Sequence, residues 1–166
     1  MMPPIISFDS PELACYHEAG HAAVALKVGA TVVEMKLYSA EPRSYGRTQV
    51  CRNDCQRRHI ALGGFAAEYL LYKTGRLVKQ DGCRPKEKEF IDYAIDNSNQ
   101  DRISYFGEDL AQSDGQWPSD LDTEFMKYAI GWADKISLDV VEKIANALLA
   151  SGELNTEALV KAVAAP

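Results

Sequence analysis

At 166 residues the chain is long enough to bury a core within one unit, and its 46% apolar and 25% charged residues exclude a disordered class. A net charge of −6 disfavours a nucleic-acid partner. No apolar run reaches the length of a membrane span, and the start, Met1-Met2-Pro3-Pro4-Ile5-Ile6, lacks the basic region and apolar stretch of a secretory signal, so a cytoplasmic location is the expectation.

Residues 1–10 read as a tail that leads into a first helix from Glu12 to Lys27. Ser10 suits the N-cap, Pro11 the first helical position, and Glu12 the positive end of the dipole. The segment is rich in alanine, and Gly29 suits the C-terminal cap. On this helix Leu13, His17, Gly20, His21, Val24 and Val28 share a stripe. Two of the chain's three histidines, His17 and His21, therefore interrupt the apolar face four residues apart. A buried imidazole needs a polar partner. Two imidazoles one turn apart can share a zinc ion, and the intervening Glu18 can act as general base toward water that the metal activates. Two hydrogen-bonded core histidines are the plainer alternative.

Thr31–Tyr38 alternates and is rich in β-branched residues, so it reads as a strand. Residues 41–44 break it, and Tyr45–Val50 reads as its antiparallel partner. Asp54–Tyr72 reads as a second helix containing Gly63-Gly64, a pair that costs helix stability and that close packing against the first helix would explain. Lys73–Pro85 reads as a loop. Lys86 to about Leu110 reads as helical, with a break near Asn97-Ser98-Asn99. Ser113–Pro118 reads as a further loop, with Ser119 or Asp120 as the N-cap of the next helix. Leu121–Ala150 supplies one or two helices, and Asn155 caps a last one from Thr156. The fold class is therefore α+β, predominantly helical. It combines a zinc-motif helix, a small antiparallel sheet and a C-terminal helical bundle over residues 113–166, all within a single domain of residues 1–166.

The four cysteines are Cys15, Cys51, Cys55 and Cys83. Cys51, Cys55 and His59 repeat at four-residue spacing and with Cys83 could form a separate structural zinc site. The spacing matches no common zinc-finger pattern, and ordinary reduced thiols are the better reading.

Tyr16-His17-Glu18-Ala19-Gly20-His21-Ala22-Ala23-Val24-Ala25 closely resembles the zinc-binding helix of FtsH-type metallopeptidases. Leu62-Gly63-Gly64-Phe65-Ala66-Ala67-Glu68 looks like that family's second motif. Val141–Leu149, followed by Gly152-Glu153-Leu154, looks like its closing helices. The matches run in the family's order and span most of the chain. The resemblance implies a zinc endopeptidase with His17 and His21 as ligands, Glu18 as the catalytic base, and a peptide or unfolded protein as substrate. It covers the peptidase part alone, because no Gly-x-x-x-x-Gly-Lys-Ser/Thr loop is present. A homo-oligomer or a separate ATPase partner is the corresponding expectation.

The family supplies an aspartate as third ligand, placed after the second motif. By that comparison Ser98-Asn99-Gln100-Asp101 fits best, because Ser98 is the small residue three before the aspartate and a helix can continue past it. Asp96, Asp92 and Asp81 are the alternatives. The resemblance also implies that Glu68 orients a ligand histidine through its free nitrogen, with a ligand role as its alternative. The strand Thr31–Tyr38, should it form a sheet edge beside the cleft, would accept substrate as an added strand and give broad specificity. Two other functions fit less closely: a non-catalytic zinc-bearing interaction module, which has no need of Glu18, and a metal-dependent amidase acting on a small substrate.

Overall fold

The computed structural model describes residues 2–107 and 119–166. It is a predominantly helical α+β fold built around one buried helix. Strand β1 (Ile6–Ser7) leads into α1 (Pro11–Lys27), β2 (Thr31–Tyr38) and β3 (Tyr45–Cys51). Helices α2 (Asp54–Ala61) and α3 (Gly63–Lys73) come next, then β4 (Leu77–Val78), α4 (Glu87–Asn97) and α5 (Asn99–Phe106). The chain closes with α6 (Ser119–Ala133), α7 (Leu138–Ser151), β5 (Glu153–Asn155) and α8 (Thr156–Ala164). The expected loop at Ser113–Pro118 and the end of the helix near Leu110 lie outside the described residues. No helix among those described is long and apolar enough to cross a membrane.

Helix α1 starts where its sequence directs. Ser10 is extended, and its Oγ accepts the Leu13 N–H at 3.1 Å. The burial of this helix is not confined to a stripe, because every residue from Cys15 to Ala25 is buried. α3, α7 and β3 surround it, which makes it a central helix rather than an amphipathic surface one. Alanine and glycine dominate for that reason, since neighbours on several sides leave room only for short side chains.

Gly20 and Gly63 mark the tightest crossing. A Cβ on Gly20 would lie 2.0 Å from the Gly63 carbonyl oxygen, and a Cβ on Gly63 would lie 2.4 Å from the Gly20 oxygen. The Gly-Gly pair therefore serves close approach to α1, as its cost to the helix implied. The second helix is not continuous, however. It divides at Leu62, whose N–H bonds to His59 O at 3.1 Å. α2 has its own capping box between Asn53 and Gln56.

The main sheet has the order β3-β2-β5, with both pairs antiparallel. β2 is thus the central strand, and β3 is an edge strand. A second, two-stranded sheet pairs β1 with β4 in parallel, Ile6 opposite Leu77, so part of the N-terminal stretch and part of the expected loop at Lys73–Pro85 are ordered strands. On the far side of α3, Phe65 meets Phe90 of α4 and Phe125 of α6 at centroid distances of 5.7 and 6.2 Å, which joins the later helices to the core.

Candidate metal centre

His17 and His21 project from α1 toward the start of α5, and both are buried. His17 Nδ1 lies 2.7 Å from Glu68 Oε1 on α3. A carboxylate only accepts, so Nδ1 carries a proton, and in the neutral imidazole Nε2 then offers its lone pair. His21 reaches the same state by another route. Its Nδ1 lies 2.7 Å from the carbonyl of Ile60, and that carbonyl falls in the last turn of α2, where helical donors run out. The division of the helix at Leu62 thus supplies the acceptor that orients the second imidazole.

The two Nε2 atoms then face each other at 3.2 Å. Asp101, in the first turn of α5, approaches them with Oδ2 2.9 Å from His17 Nε2 and Oδ1 3.1 Å from His21 Nε2. The three ligand atoms lie within 4.8 Å of one another, the only such grouping of three or more histidine, cysteine or acidic side chains among the described residues. With each Nδ1 held by its own acceptor, both Nε2 atoms and a carboxylate converge on one point. Asp101 Oδ2 is buried without a hydrogen-bond partner. That donor set fits a metal ion, which would accept from all three ligands at once.

The electrostatics agree. Burial opposes charge on both imidazoles, yet the Asp101 carboxylate outweighs it, with Glu68 adding to the effect on His17. The His17 pKa is held well above its usual 6.5, and that of His21 is raised as well. Burial would push the Asp101 carboxyl up, but the two imidazoles outweigh burial and hold it well below the usual carboxylate range. The site favours positive charge at its centre, whether as protons or as a metal.

Glu18 is buried on the next residue of α1, and β3 fixes its position. Thr48 Oγ1 donates to Glu18 Oε2 at 2.6 Å. Gly46 lets the strand pass over the carboxylate, since a Cβ there would fall 2.2 Å from Glu18 Cγ. Gly64 does the same for the ligand, because a Cβ would sit 2.3 Å from His17 Nε2. A cleft of about 700 Å³ opens over the cluster, with β3, α1 and α5 among its walls.

Of the candidate third ligands, the structure brings only Asp101 to the two histidines. Asp96 is exposed, Asp92 is exposed and paired with Lys88 at 2.6 Å, and Asp81 caps the Cys83 N–H at 2.9 Å. Glu68 orients His17 and is not among the converging ligands. The expectation of β2 as a docking edge is corrected, because β5 and β3 flank it on both sides. Nor do Cys51, Cys55, Cys83 and His59 gather into a site. The three thiols are exposed, and His59 Nδ1 accepts from Trp132 Nε1 at 3.3 Å. Cys15 is buried, which pushes its thiol up to about 12 and leaves it inert.

Thr48, Gly46 and Asn97 escaped the sequence reading. Asn97 Nδ2 donates to the same Glu68 Oε1 that holds His17. A glycine within an alternating strand is the signal that could have revealed Gly46; for Asn97 there was none. Compared with known proteins, the chain matches no family model and no curated protein.

Proposed function

We propose that the chain is a zinc metallopeptidase that cleaves peptides or unfolded polypeptide. One observation carries the reading: two imidazoles with their Nε2 atoms turned inward meet the Asp101 carboxylate beside a separately held glutamate. Two neutral imidazoles and one carboxylate are a donor set suited to zinc, and three protein ligands leave a position open for chemistry. Bound there, zinc would polarise a scissile carbonyl and acidify water to a pKa of roughly 7.

The chain's own residues would do the rest. Glu18 takes the proton from the attacking water and delivers it to the departing amine. Thr48 holds Glu18 Oε2 and so aims the carboxylate into the cleft. Glu68 and the Ile60 carbonyl keep the Nδ1 protons in place, so that both imidazoles offer Nε2 to the metal. Among the described residues β3 is the outer strand of its sheet beside Glu18, and an extended polypeptide added to it would run across the cluster. The open cleft favours a polypeptide over a small amide that would need enclosure. The likeness of residues 16–25 and 62–68 to FtsH-type peptidases supports the same assignment.

The test compares wild type with Glu18→Gln on unfolded casein and short peptides, with zinc content measured on the same samples. Turnover should fall at least about 100-fold while zinc is retained. Equal turnover in the two proteins would remove Glu18 from the chemistry. A zinc-loaded wild type that cleaves nothing would leave a non-catalytic zinc module as the better reading.

A further inference from the structure

The walls of the cleft carry a charge opposite to that of the molecule. The chain has a net charge of −6, yet Arg43, Arg47, Arg52 and Arg57 all line this opening. Among the described residues, the carboxylates lining it are Asp9, Glu18 and Asp101. Two of these belong to the metal centre. The third, Asp9, is already occupied by Arg43 at 3.1 Å, Tyr93 at 3.1 Å and Gln80 at 2.9 Å. Arg57 is committed as well, donating to the Ser104 carbonyl. Arg47 and Arg52 are exposed, and among the described residues neither has a carboxylate within ion-pair distance.

The register of the sheet gives this surplus a direction. Arg47 on β3 stands opposite Lys36 on β2, with Glu153 of β5 beyond Lys36, and the pleat sets this row on the sheet face away from Glu18, toward which Gly46 and Thr48 point. Across the outer edge of β3, the next place in that row belongs to an added strand. Directly opposed side chains in neighbouring strands lie about 5 Å apart, where opposite charges attract and like charges repel. Lys36 is neutralised within its own strand by Glu34 at 3.1 Å, whereas Arg47 is not. Arg52 continues the positive rim one residue beyond the end of β3.

We propose that the cleft selects polypeptide segments bearing acidic side chains, with Arg47 and Arg52 as the specificity-determining residues. The inference rests on the peptidase reading, which supplies the docking edge. Peptides with a glutamate in the row of Arg47 or toward Arg52 bind well, and peptides with lysine there are repelled.

The test uses the full zinc-loaded chain carrying Glu18→Gln, so that binding is read without turnover. Fluorescence anisotropy compares three labelled, unstructured peptides of equal length that differ only in glutamate, glutamine or lysine at matched positions. The glutamate peptide should bind about 10-fold more tightly than the lysine peptide at low ionic strength, and the gap should narrow toward two-fold at about 0.5 M salt. Arg47→Ala with Arg52→Ala should erase most of the preference, and Arg47→Lys with Arg52→Lys should keep most of it. Equal affinity for the three peptides would overturn the proposal, as would a preference untouched by the alanine pair. Wild-type turnover of the glutamine peptide separates the two levels. If cleavage proceeds while binding ignores charge, only the selectivity fails. If no peptide is cleaved with zinc bound, the peptidase reading fails and takes the selectivity with it.

Discussion

Glu68 is fully buried, and its Oε1 serves His17 and Asn97 together, so the state of one ligand depends on side chains from α3 and α4. Replacing it with glutamine keeps a similar shape but removes the charge that anchors the Nδ1 proton. Glu68→Gln should weaken zinc binding by roughly 10- to 100-fold, read by competition with a chelator of known affinity. pH acts on the same groups. In the metal-free protein the raised pKa values of His17 and His21 contribute stability below the unfolded value of 6.5, and this is lost as pH rises through the folded values. The lowered pKa of Asp101 contributes above its unfolded value of 3.8 and is lost as pH falls through the folded one. Zinc needs neutral imidazoles, so its contribution runs the other way. The rise in melting temperature on adding zinc should therefore shrink as pH is lowered from neutral through 6.5. A zinc-induced rise that is constant across that range would mean the metal binds elsewhere.

Among the elements, the contact between α1 and α3 carries the strictest geometric demand. Gly20→Ala would drive a methyl group into the Gly63 carbonyl, and backbone cannot yield as a side-chain tip does. A loss of about 3 kcal/mol is expected in urea unfolding. Gly64→Ala is the more specific probe. It presses on the His17 ring and should lower zinc affinity more than it lowers the stability of the metal-free fold. Elements governed by local chemistry were legible in the sequence. Ser10 begins α1, Asn155 caps α8 through Ala158, and the break between α4 and α5 falls at Ser98. Elements governed by distant partners were not. β1 and β4 are two residues each, too short for any periodicity, and exist only because they pair across about seventy residues of chain. The division at Leu62 and the short β5 were likewise settled by packing. At the candidate metal centre the closeness of His17, Glu18 and His21 follows from spacing within one helix. Asp101 could be ranked but not fixed, because its place depends on α5 meeting α1. Arg102 holds α5 against α6 by donating to Asp122 at 2.6 Å, and no local pattern announces that pair.

Across the whole molecule, Arg76 gathers the parts that meet near the start of α1. It is buried and binds Glu142 of α7 through both terminal nitrogens, at 3.2 and 3.1 Å. It also donates to the Tyr16 hydroxyl at 2.9 Å and to the Pro4 carbonyl at 3.1 Å. Arg76→Ala would strand these acceptors, and a loss of about 3 kcal/mol is expected in chemical unfolding, with zinc affinity of the folded protein little changed. A fold stapled in this way holds His17, His21 and Asp101 together without a metal. The most direct test is therefore metal analysis of protein purified under zinc-replete conditions, for wild type and for a variant combining His17→Ala, His21→Ala and Asp101→Ala. The expected result is about one zinc per chain in wild type and almost none in the variant. A wild type devoid of zinc, or a variant that keeps it in full, would contradict the assignment of the metal centre.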